Sequence, residues 1–385
     1  MSARQFYIVL AISVIAMKMQ KLPCLVAGEI GKDAWLLFVV YMLINLFAIC
    51  LVFFIFKRVD PKTVLKPSKN LFFNILRIFL MIATLLYFLV QAILVYEHIQ
   101  ALFSNTLFDD LSWSFFSLLL LFAVFFLAHR GIENIALNYE LYTWIIVVPL
   151  ILLAIFGASQ TDFSVILPLE TIDFPKILSK LRLFSCWFGD FFLVLYLGVK
   201  ARDLKLSKTL LIYSLSMVFM AFMVMVFTGI YGITAPSAPG LISVISEQSL
   251  LDMSIGRIDW FLILFTEMGA VLTCSVYLYF ANLCLHSIFP KANAFHLKFF
   301  NIAVLYTLDI FVLVDLNAKI KFFCGFMSDV TMVVCLFTMI VLLIIAFHNL
   351  CKDKIFGKQL IDESLKPEKQ NKEKRISHTK GEVKS

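Results

Sequence analysis

Four charged side chains stand inside stretches that are otherwise apolar: Lys18 and Lys21 near the N-terminus, Asp190 in mid-chain and Glu267 further on. A lone charge at the centre of a bilayer costs about 2.5–3.5 kcal/mol on insertion scales, so opposite charges in one bundle are expected to meet. The expected pair joins Lys21, or failing that Lys18, to Glu267 or Asp190, as a built-in cation with its counter-ion. The other solution has Lys21 reaching along a water-filled vestibule and Glu267 protonated. Either way the chemistry is binding and charge compensation. No nucleotide loop, HExxH, GxSxG or metal-spaced group of His and Cys occurs, so the chain reads as a non-enzyme with no cofactor and no metal.

Two interruptions frame these charges. In Met17 to Trp35 a first hydrophobic segment is broken by Lys18, Lys21 and Pro23, whose missing N–H and ring oppose a continuous helix. In Arg182-Leu-Phe-Ser-Cys-Trp-Phe-Gly-Asp-Phe-Phe-Leu193, Gly189 and Asp190 sit at the middle of another segment. Broken backbone is tolerated at membrane depth only against protein or a water-filled cavity. Interruptions at corresponding places in two five-span halves point to an inverted repeat with a site at the midplane, where freed N–H groups suit a carboxylate and freed carbonyls a cation. That reading takes Lys21, Leu22, Pro23, Cys24, Phe188, Gly189 and Asp190 as ligand-binding. Tyr87 and Gln91, one turn apart on the third segment, line the cavity wall or bond between helices. The blander alternative makes Gly189 a tight packing position and Asp190 a satisfied polar residue.

The elements that must hold these residues are membrane helices. Hydrophobic residues make up 61% of the chain and charged ones 15%, with 41 phenylalanines and a mean hydropathy of +0.93, far outside soluble domains. Ten apolar runs fall at roughly 5–28, 34–56, 71–96, 111–129, 139–158, 177–199, 209–232, 258–288, 299–316 and 327–349. The fold class is therefore an all-α polytopic membrane protein over residues 1–350, with a basic cytoplasmic tail, 351–385, of disordered composition. Most of the 33 Lys and Arg fall on one side of these spans, which places that side, and both termini, in the cytoplasm. The basic residues are explained by topology, so nucleic acid is not an expected partner. Lys18 interrupts the first run and no small-residue cleavage site follows, so a removed signal peptide is not expected. The eight cysteines show no CxxC pair and read as small buried hydrophobes. The longer outer loops, 158–176 and 233–257, are lids or plain connectors.

Gln5 to Trp35, with Leu22-Pro23 and Gly31-Lys32-Asp33-Ala34-Trp35, resembles the opening of the B subunits of Ger-type spore germinant receptors. The likeness recurs at Ala128-His-Arg-Gly-Ile-Glu-Asn-Ile-Ala136, at Val165-Ile-Leu-Pro-Leu169 and at Ile255-Gly-Arg-Ile-Asp-Trp260, and so spans nearly the whole membrane portion. The resemblance implies ten transmembrane helices in the five-plus-five inverted repeat (LeuT-like) of the amino acid–polyamine–organocation superfamily, with helices 1 and 6 broken. It implies a bacterial inner membrane, cytoplasmic or spore, an A-type and a lipoprotein C-type partner subunit, and sensing of a small amino-acid-like nutrient. It sets the first span beside the sixth and eighth, where that fold often holds a sodium ion that a fixed lysine ammonium would replace. Three departures stand out: Met17 to Lys21 crowd a place usually held by small residues, Gly189 precedes Asp where Glu is usual, and Glu267 stands where an aromatic is expected. A secondary transporter of amino acids or related organic ions is the alternative function, since both use one pocket.

Overall fold

The computed structural model describes residues 1–19, 22–57, 71–106, 113–166, 173–232, 258–308 and 322–344, and every regular element among them is helical. The chain opens on α1 (Ala3–Lys18), started by a capping box in which Ser2 Oγ accepts from Gln5 N and Gln5 Oε1 from Ser2 N. α2 (Leu22–Ile30) follows at an angle of 55°. Pro23 is thus the second residue of a new helix, where its missing N–H leaves no bond unmade. The interruption precedes the proline. Gly31, at φ +85°, ends α2 in the left-handed conformation common at helix C-termini.

Beyond it run α3 (Ala34–Phe56), α4 (Leu71–Thr106), α5 (Trp113–Arg130), α6 (Ile132–Gln160) and the single turn α7 (Phe163–Ile166). The sixth span is split into α8 (Phe174–Phe184), a 3-10 turn (Ser185–Trp187) and α9 (Phe191–Lys200). α10 (Leu206–Tyr231), α11 (Ile258–Ile288), α12 (Ala294–Thr307) and α13 (Phe322–Ile344) complete the bundle. Among the described residues seven helical stretches, α8 and α9 counted together, are long and apolar enough to cross a membrane, and the bent pair α1 and α2, counted as one span, adds an eighth. The expected fourth and ninth spans correspond to the shorter α5 and α12.

Several ends differ from the sequence reading for identifiable reasons. The expected fifth span, α6, starts at Ile132, directly after Gly131 at φ +92°, because Asn134 and Asn138 amides donate to the carbonyls of Arg130 and Asn134. These polar residues extend the helix where a loop had been expected. The expected third span, α4, runs on to Thr106, past the expected end at 96. The loop at 233–257, the tail at 351–385 and Lys21 lie outside the described residues.

α1 and α9 form the centre. Every residue from Phe191 to Val199 is buried, and α11 packs against α4, α6 and α1 while α10 packs against α3 and α1. Tyr139 Oη ties three of these helices together, 2.9 Å from both Ser13 Oγ and Thr273 Oγ1. Outward-facing Phe47, Trp144, Leu215 and Phe299 are exposed, as befits surfaces turned to lipid.

Candidate functional site

At the split in the sixth span the backbone leaves the helix, and its carbonyls need partners in a medium without water. Neighbouring helices supply them. Gln91 Nε2 on α4 donates to Cys186 O at 2.5 Å, and Asn45 Nδ2 on α3 donates to Phe188 O at 2.7 Å. From α13, Ser328 Oγ donates to Leu183 O at 2.7 Å, while Ser185 Oγ donates to Ser328 O at 2.5 Å. Gly189 lies flat against Tyr87: a Cβ there would stand 2.5 Å from Tyr87 Cε2 and 2.8 Å from its Oη. No larger residue fits without moving that ring.

Lys18 closes α1 and points at this split. Its Nζ lies 2.7 Å from Asp190 Oδ1, with both side chains fully buried. Tyr213 Oη, from α10, donates to the other carboxylate oxygen at 2.9 Å. The ammonium also sits 5.3 Å from the ring centroid of Phe188, which stacks on Tyr41 at 3.9 Å, so a cation–π contact backs the pair. Of the four charged residues, Lys18 and Asp190 lie together. A pairing of Lys21 with Glu267 falls outside the described residues. Glu267 itself is buried on α11 beside a cavity of about 10 Å³ bordered by Met19, Thr266 and Ala270, enough for about one water. Leu22, Pro23 and Cys24 are buried at the start of α2.

Three further polar atoms flank the split and, although buried, have no hydrogen-bond partner among the described residues: Tyr87 Oη, Gln91 Oε1 and Trp187 Nε1. They comprise a hydroxyl, an acceptor and a donor, and each such group left unsatisfied costs roughly 1–3 kcal/mol. Tyr213, Asn45 and Ser328 were not singled out by sequence. The available signal was that a buried Asp carboxylate and a broken helix both demand more partners than one lysine supplies.

Before the split, α8 is tied to its neighbours. Lys180 Nζ meets Glu29 Oε2 of α2 at 2.5 Å, and Lys176 Nζ donates to Ile30 O at 3.2 Å. Arg182 grips Asp329 of α13 through two bonds of 2.5 and 2.6 Å, and Tyr41 Oη donates to Leu181 O. Among the described residues no three His, Cys, Asp or Glu come together as a metal site.

A helical bundle broken at its first and sixth spans has the LeuT-like all-α fold. Two mutant forms of the manganese transporter of Eremococcus coleocola share the fold, with TM-scores of 0.56 and 0.52 at 10% and 12% identity, each covering 88% of this chain and 77% of its own. The spore germination protein family matches residues 1–319. The chain belongs to that family. No curated protein matches it.

Proposed function

We propose that the protein is the nutrient-sensing membrane subunit of a spore germinant receptor. In this reading a small amino-acid-like ligand binds at the midplane between the two breaks and the resulting movement is passed to an A-type and a lipoprotein C-type subunit. The observation that carries it is the set of buried, unsatisfied polar atoms of Tyr87, Gln91 and Trp187 around the Gly189 split. A native fold leaves few such atoms, and their clustering beside broken backbone is what a polar ligand would relieve. Lys18 and Asp190 add one charge of each sign, to which the carboxylate and ammonium of a zwitterion are complementary. The same reading sets both termini and the Lys-rich loops in the cytoplasm, with residues 351–385 as a basic tail.

The likeness to transporters favours a second reading, a secondary transporter of amino acids or related organic ions, using the same centre. Gly189→Leu separates the site from mere assembly. Spores carrying it should hold normal amounts of the protein yet lose the germination response to amino acids, because the added side chain drives Tyr87 out of place. An unchanged response would move the site elsewhere. Uptake of labelled amino acids by proteoliposomes, abolished by the same substitution, would favour transport over sensing alone.

A further inference from the structure

Away from the central site, a cavity of about 670 Å³ opens where α3 ends and α9 passes into α10. Phe53, Phe56 and Lys57 form one wall, and Leu204, Lys205 and Ser207 the other. Gly198 forms part of its lining: a Cβ there would lie 2.5 Å from Phe56 Cε2, so glycine lets the ring pack down and leaves the space above open. We propose that this cavity binds the phosphate headgroup of an anionic phospholipid.

Charge, polarity and position each support that occupant. Two lysines, Lys57 and Lys205, line the cavity and both are exposed. The first amides of a helix have no intrahelical acceptor, and α10 begins here with Lys205 as its N-cap and no side chain capping it. Its first helical bond runs from Thr209 N to Lys205 O. The C-termini of α3 and α9 border the same cavity, so the helix ends offset one another and the positive charge here is that of the two lysines. The remaining walls are mainly apolar, which suits glycerol and the first methylenes of an acyl chain better than a freely diffusing anion. Exposed Phe54 and Leu211 on α3 and α10 continue the apolar surface outward. Basic pockets between membrane helices at the headgroup level commonly hold lipid phosphates. The acid in the connecting segment, Asp203, is exposed and does not line the cavity.

Native mass spectrometry of the purified full-length chain, offered phosphatidylglycerol or phosphatidylcholine, tests this. Selective retention of phosphatidylglycerol is expected. Lys57→Gln and Lys205→Gln should each weaken it about fivefold and together about 25-fold. Arg202→Gln with Lys208→Gln, an equal loss of charge outside the lining, should change it less than twofold. Ser207→Glu, which sets a carboxylate in the mouth, should abolish it and serves where the lysine variants do not fold, as judged by monodispersity and thermal unfolding. Equal retention of the two lipids, or equal loss in the control pair, would overturn the proposal. Full displacement by inorganic phosphate at the lipid's own concentration would also overturn it, in favour of a free-anion site.

Discussion

Lys18 Nζ stands 2.7 Å from Asp190 Oδ1 at the meeting point of the two broken spans, and neither side chain has any exposed surface. An ion pair so placed gains little over two well-packed apolar residues, because removing both charges from water offsets most of their attraction. Removing only one partner strands the other, at a cost of roughly 3–5 kcal/mol. Lys18→Met and Asp190→Asn should therefore each lower the melting temperature and the amount of protein in the membrane. The double variant should recover part of either loss. Strictly additive losses in this cycle would show that the two groups do not interact.

Tyr213 holds the second oxygen of the same carboxylate at 2.9 Å. A hydrogen bond to a charged acceptor contributes about 1.5–3 kcal/mol. Tyr213→Phe removes that bond alone and should destabilise the protein by that order, measured by thermal unfolding in detergent. In the Asp190→Asn background its effect should shrink, since the acceptor is no longer charged. An undiminished effect would assign Tyr213 to packing instead.

The two interruptions, and the need of buried charge for a counter-charge, were legible in the chain because glycine, proline and ionisable residues stand out against apolar runs. What was not legible is which groups complete the site. Tyr213, Asn45 and Ser328 sit in helices where a single polar residue looks like ordinary packing, and only the fold brings them to Asp190 and to the carbonyls of Phe188 and Leu183. Pro23 misled by one turn: its ring suggests a break at itself, whereas a proline in the first turn of a helix is harmless and the break falls before it. Likewise Asn134 and Asn138 read as loop residues because of their polarity, yet their side chains cap carbonyls one turn back and carry the expected fifth span, α6, out past Glu133.

Charge distribution predicts the orientation of the bundle. In a background lacking the native cysteines, Lys205→Cys and Lys291→Cys should react with membrane-impermeant maleimide only after the cytoplasmic face is opened. Asp162→Cys, on the turn beyond α6, should react in intact cells. Asp162 is exposed there, accepting from Ser164 N and Oγ. The reverse pattern would invert the topology and with it the side on which the Lys-rich loops lie.

The final prediction concerns Lys180 and Glu29, which bridge α8 and α2. Both side chains are partly exposed, so their direct contribution to stability is small, about 0.2–1 kcal/mol. Their position gives them a larger effect on conformation. α2 and α8 are the halves of the two broken spans that lie on one side of the site, and any opening of the centre toward that side must part them. A bridge present only in the closed form shifts the closed–open balance by its own free energy, at most about fivefold in population. Lys180→Glu should thus leave the melting temperature almost unchanged while raising maleimide labelling of a cysteine placed at Phe188. The exchange Lys180→Glu with Glu29→Lys should restore the original rate, and raised salt should narrow the difference between wild type and the single variant, since exposed charges are screened. Labelling that is indifferent to the swap would mean that α2 and α8 are held together by packing and by the bond from Lys176 to the Ile30 carbonyl.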